Sequence, residues 1–161
     1  MKLKFIPLSL SVGILAAIWT YAAIKLGLPV WAGFVGWAFY FVAGGDAKAL
    51  MKAGVPTVVG VLFGYVALYG LKLGGEAGVI GVSVAVGVAA LILVVLMNWA
   101  AFALAPAAFA AFASFFAFTL VKQDVFAVEN IVYTLITLII GLVLGYLSTS
   151  IPAWFTKPAA A

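Results

Sequence analysis

Chemistry in this chain would fall to very few side chains. Its acidic residues are Asp46, Glu76, Asp124 and Glu129, its basic residues are eight lysines, and it contains no histidine, cysteine or arginine. Thiolate catalysis, disulfides and the commonest metal ligands are therefore absent. No nucleophile with a base beside it can be assembled in a standard form. No enzyme, no cofactor and no metal centre is expected. What remains is hydrogen bonding. Thr20 and Asn98 stand 78 residues apart and occupy equivalent places in two similar stretches, with Ser114 opposite Gly36 in the same register. In an apolar span such groups need partners, so they are expected to face the protein interior or a wet cavity, as interhelical bonds or as solute ligands. Asn98 both donates and accepts, which suits an amide better than an ion.

Aromatic rings are the second resource. Phe34 and Trp37 lie three residues apart, and Phe112 and Phe115 repeat that spacing at the matching positions. Rings at helical spacing serve packing or an interfacial belt. Facing one another, the four would instead form a narrow slot that strips water from a flat, neutral solute.

The elements that would position these groups follow from composition. The chain is 68% hydrophobic and 7% charged, with a mean hydropathy of +1.36. Soluble domains run near 25% charged, so the solvent here is lipid. The net charge of +4 comes from lysines scattered singly at the ends of apolar runs, a topology signal rather than a nucleic-acid surface.

A spanning helix needs roughly 20 apolar residues. Six runs are visible: Phe5–Leu26, Pro29–Ala43, Gly54–Leu71, Gly78–Ala103, Ala107–Val121 and Asn130–Ile151. The second and fifth are short, at about 15 residues, which rise only about 22 Å. Pro29 and Pro106 mark the breaks before them, and Pro152 is expected to end the sixth. Segments this apolar must be helical in lipid.

The two halves resemble each other. In the register of 78, Trp19–Phe34 falls on Met97–Phe112 and Asp46 falls on Asp124; beyond that loop the register is 81, and Gly60-x-x-x-Gly64-Tyr65 falls on Gly141-x-x-x-Gly145-Tyr146. The expected architecture is all-α, with six transmembrane helices as two three-helix repeats, 1–75 and 76–152, followed by a tail, 153–161. An odd number of helices per repeat makes the second copy inverted, an arrangement common in transporters and channels. Matching short, interrupted segments in two such halves point to a substrate path. Lys2, Lys4, Lys48, Lys52 and Lys157 fall on one side of this plan and Lys25, Lys72 and Lys122 on the other. That bias puts both termini in the cytoplasm of a multi-pass protein. The glycine pairs Gly60/Gly64 and Gly141/Gly145 permit close helix contact between repeats or between subunits, and with them a homo-oligomer is expected.

The stretch Gly13–Phe41 reads Gly-Ile-Leu-x-x-Ile-Trp, then Leu-Gly-Leu, Trp-Ala-Gly-Phe-x-Gly and Tyr-Phe. It resembles the YcdZ-like family of small bacterial inner-membrane proteins of unknown function, and Pro106-x-x-Phe109 and Gly141-x-x-x-Gly145-Tyr146 are similar to it as well. The resemblance implies fold and an inner-membrane location, and carries no substrate. The Leu28-Pro29 break looks remotely like that of urea channels, but the Thr and Pro-Phe that follow it there are absent. The expected function is passage of a small, uncharged polar solute, with urea-like amides first. A non-transporting scaffold or assembly subunit is the alternative, and an ion-coupled carrier would need a charged site that the spans do not display. Partners are membrane lipid, the solute and further copies of the chain, with no nucleic acid.

Overall fold

The computed structural model describes residues 6–73 and 78–155. Lys2, Lys4, Glu76, Lys157, the junction of the two repeats and residues 156–161 of the tail lie outside the described residues. Among the described residues the chain is wholly helical: α1 (Ile6–Leu26), α2 (Val30–Val42), α3 (Ala49–Leu73), α4 (Gly78–Leu96), a single 3-10 turn (Ala100–Phe102), α5 (Ala105–Thr119) and α6 (Glu129–Phe155). It is an all-α membrane protein. Helices α1, α3, α4 and α6 are long and apolar enough to cross a bilayer.

The two short helices are set by punctuation. At the end of α1, Gly27 at φ 67° lets the amides of Gly27 and Leu28 return to the carbonyls of Ile24 and Ala23. Pro29 then caps α2. At the other end, Gly44 and Gly45 at positive φ donate to Phe41 and Tyr40, closing α2 after 13 residues. Such left-handed glycine stops are how helices commonly end. A helix of that length rises about 20 Å, short of a hydrocarbon layer of about 30 Å.

Three boundaries differ from the sequence reading. Helix α3 starts at Ala49 rather than Gly54, because Asp46 Oδ1 accepts the amide of Ala49 at 2.9 Å and draws Lys52 into the helix. Helix α6 runs through Pro152 to Phe155. A proline in a last turn removes one backbone bond, a loss that membrane helices tolerate. Helix α4 ends at Leu96 rather than Ala103. There the amides of Met97, Asn98 and Trp99 bond to carbonyls three residues back, and Asn98 Nδ2 takes the Val95 carbonyl at 2.7 Å. A side-chain amide competing for backbone groups unwinds a helix end in this way. Residues 97–104 consequently form turns and one 3-10 segment between α4 and α5.

The core is built on two parallel helix pairs. Down α2 and α6 the contacts rise together in number: Gly33 against Gly141, Tyr40 against Gly145 and Thr149. Down α3 and α5 they do the same, with Gly60 against Ala108 and Ala111 and Gly64 against Phe115. A Cβ at Gly60 would land on the carbonyl oxygen of Ala108, and one at Gly141 on that of Gly33. These glycines let backbones touch, which in lipid is a principal source of helix association. All four therefore pack inside the chain. The ground on which they suggested an oligomer is removed, because their faces are already covered. Helices α1 and α4 lie outside this core, on α6 and α3 respectively.

Candidate functional site

The residues singled out in the sequence scatter. Trp37 is buried against Trp19, Ala23 and Leu144, whereas Phe112 packs with Ala67, Ala89 and Leu93. Phe115 is fully enclosed, against Tyr65 and Phe116 in the central cluster. Phe34 stacks on Trp37 with ring centroids 6.1 Å apart, but 42% of it is exposed. Phe34 and Trp37 thus form one pair, Phe112 and Phe115 meet through Phe116 elsewhere, and the two pairs lie in different clusters rather than facing one another as a slot. Three of them are held by close packing against glycine or alanine on a neighbouring helix, and the fourth points outward.

The polar candidates divide too. Ser114 is buried and Thr20 is half-buried. Asn98 is exposed, its amide bonded to its own helix. Its position at the unwound end of α4, rather than inside a span, lets it stay at the surface. Pro29 and Pro106 do stand at the starts of α2 and α5.

Polar contacts that the sequence does not reveal converge on α2. Trp37 Nε1 donates to Ser148 Oγ at 3.2 Å, and that hydroxyl donates to the Gly145 carbonyl at 2.6 Å. Tyr40 Oη donates to the Gly45 carbonyl at 2.7 Å and lies 2.7 Å from Thr149 Oγ1. On the other flank Trp19 Nε1 donates to the Val30 carbonyl at 2.9 Å, its ring lying against Gly33. Buried indole and phenol groups need such partners, and here they fix α2 on α1 and α6. Among the described residues, the buried hydroxyls of Ser11, Thr57 and Thr119 have no hydrogen-bond partner. Orphaned buried groups of this kind are rare and call for water or a ligand.

Beyond the last turn of α2 is a pocket of about 240 Å³, lined by Val42, Ala43, Lys52, Ala100, Ala103 and Leu104. Three elements meet there: the end of α2, the start of α3 and the unwound segment before α5. Larger hollows along α3 are apolar: one of about 510 Å³ is lined by residues such as Phe63, Gly70, Gly81 and Val88. The smaller pocket contains a charge. Lys52 lies before the apolar run Gly54–Leu71, and the signal that it belongs to α3 is Asp46, a capping residue three positions before Ala49. Trp37 and Ser148 gave no comparable signal, since their contact spans 111 residues.

The family model described as "Protein of unknown function (DUF1097)" matches residues 9–153. The chain belongs to this family. Among curated relatives, the inner membrane protein YcdZ of Escherichia coli (strain K12) is 34% identical over 77 residues, 47% of each chain. The inner membrane protein YcdZ of Salmonella typhimurium is 33% identical over 69 residues, 42% of this chain and 43% of that one. The chain thus spans about half the length of the curated relatives it matches. No solved structure matches it.

Proposed function

We propose that this chain is a multi-pass protein of the bacterial inner membrane that lets a small, uncharged polar solute cross by facilitated diffusion, urea-like amides being the first class to try. The observation that carries the reading is the pairing of two helices too short to span, α2 and α5, each lying parallel to a long helix of the other half. Short, interrupted helices at corresponding places in two halves are the best pointer to a solute path. Non-helical backbone at membrane depth persists where protein buries it or where it lines a wet cavity. The unwound segment before α5 lines the pocket of about 240 Å³ at the end of α2.

The same reading takes the halves as inverted repeats with both termini cytoplasmic. In the registers of 78 and 81, the contact of Gly60 with Ala111 maps onto that of Gly141 with Gly33. This correspondence supports a pseudo-two-fold axis in the membrane plane. The pocket beside Lys52 then opens to the cytoplasm, and the buried hydroxyls of Thr57 and Thr119 are groups a passing amide would satisfy. A scaffold role is less well supported, because the glycine faces that would hold partners are engaged within the chain.

Reconstitution into vesicles with urea, acetamide and glycerol as osmotic probes tests the reading. Swelling faster than that of empty vesicles for at least one probe is expected. Rates equal to empty vesicles for all three would leave the scaffold as the better account.

A further inference from the structure

We propose that the ammonium of Lys52 acts as a tethered cation that keeps free cations out of the pocket at the end of α2. Lys52 Nζ lies 3.5 Å from the carbonyl oxygen of Ala43, the residue that caps α2. The end of a helix leaves carbonyls without intrahelical partners and carries a partial negative charge. The other lining residues, Val42, Ala100, Ala103 and Leu104, have no polar side chain, so the remaining polar atoms of the pocket belong to the backbone. The amide of Ala43 donates to the Phe39 carbonyl, and the Ala43 carbonyl is the one that meets the ammonium.

Backbone carbonyls at helix ends are what transporters and channels use to bind sodium or potassium. Here that chemistry is occupied from within. Among the described residues no carboxylate lines the pocket, and Asp46 nearby has Oδ1 engaged by the amide of Ala49. Lys52 supplies the positive charge the carbonyls attract, and it repels a second one. A fixed positive group at a constriction is a known way to exclude cations. Selection for uncharged solutes then comes from a resident charge as well as from width. The inference rests on the reading that this pocket opens into the solute path.

The test uses the full chain in vesicles, with urea flux by light scattering and sodium entry by a trapped sodium-sensitive dye. Wild type should pass urea and exclude sodium. Lys52→Met should admit sodium at least about tenfold faster, the low end of what removing one unit charge beside the ion implies, and should keep its urea flux. Lys48→Met, which removes a neighbouring charge outside the pocket, should stay sodium-tight. Because the chain has no cysteine, Lys52→Cys gives a second route. It should leak sodium, close when an aminoethyl thiosulfonate restores the ammonium, and stay open with the neutral ethyl reagent. Sodium exclusion by both variants with urea flux intact overturns the inference and leaves the facilitator standing. A sodium leak that ignores aminoethylation also overturns it. Absence of urea flux in wild type overturns the facilitator reading; sodium entry through Lys52→Met would still uphold the role of Lys52, and its absence would end it.

Discussion

The indole nitrogen of Trp37 donates to the hydroxyl of Ser148, 3.2 Å away on a helix 111 residues later in the chain. Both residues are buried, and the hydroxyl passes its own proton to the Gly145 carbonyl. A polar relay therefore joins the short helix α2 to the far end of α6. Ser148→Ala would leave the indole N–H unpaired in a dry site, a loss on the order of 1–3 kcal/mol. Adding Trp37→Phe to Ser148→Ala should cost less than the two single losses combined. Unfolding in mixed micelles, run as a double-mutant cycle, measures the coupling. Strict additivity would show that the relay contributes nothing.

Glycine substitutions should rank by what a new Cβ meets. At Gly60 and Gly141 it meets backbone carbonyls of α5 and α2, which cannot rotate away. Alanine at either should destabilise by roughly 1–3 kcal/mol or more, as overpacking does. Gly70→Ala, where no atom lies within 4 Å, should be neutral or slightly stabilising. Thermal melts in detergent give the order, and equal melting of all three would contradict it.

Asn98→Leu should leave the folded protein and its flux close to wild type, because the i−3 bonds of the Met97, Asn98 and Trp99 amides and the proline at the start of α5 still hold the segment between α4 and α5. The side chain is exposed and bonded to its own helix, so its removal costs one surface hydrogen bond. A flux loss of tenfold or more would return Asn98 to the solute path.

Single cysteines at positions 48 and 122 should be labelled by an impermeant maleimide from opposite faces of the membrane. These positions follow α2 and α5, the helices that the inverted plan relates. Labelling from the same face would rule out inversion.

The spans were legible because lipid imposes one rule on every apolar run, and among the described residues six runs became six α-helices. The short lengths of α2 and α5 were legible from Gly27, Pro29, Gly44 and Pro106, which act through their own backbones. What could not be read was tertiary. Nothing local distinguishes Trp37, sealed against Ser148, from Phe34, facing outward three residues earlier. The end of α4 escaped because Asn98 was weighed as a buried ligand, whereas its amide competes for the Val95 carbonyl and unwinds the helix. Lys52 escaped for the reverse reason. A lone lysine outside an apolar run carries no helical signal, and only the Asp46 cap brings it into α3.

The interleaving of α2 with α6 and α3 with α5 has a consequence for biosynthesis. When the ribosome has released α1 to α3, Gly60 and Gly64 still lack α5, and α2 lacks its bed on α6. The early half must wait in the bilayer, its glycine seams filled by lipid or by the insertion machinery, until the last helix emerges. Folding is then completed at the end of translation, and a chain stalled before α6 is a substrate for quality control. Two separately made halves should find each other, since each is the missing template of the other.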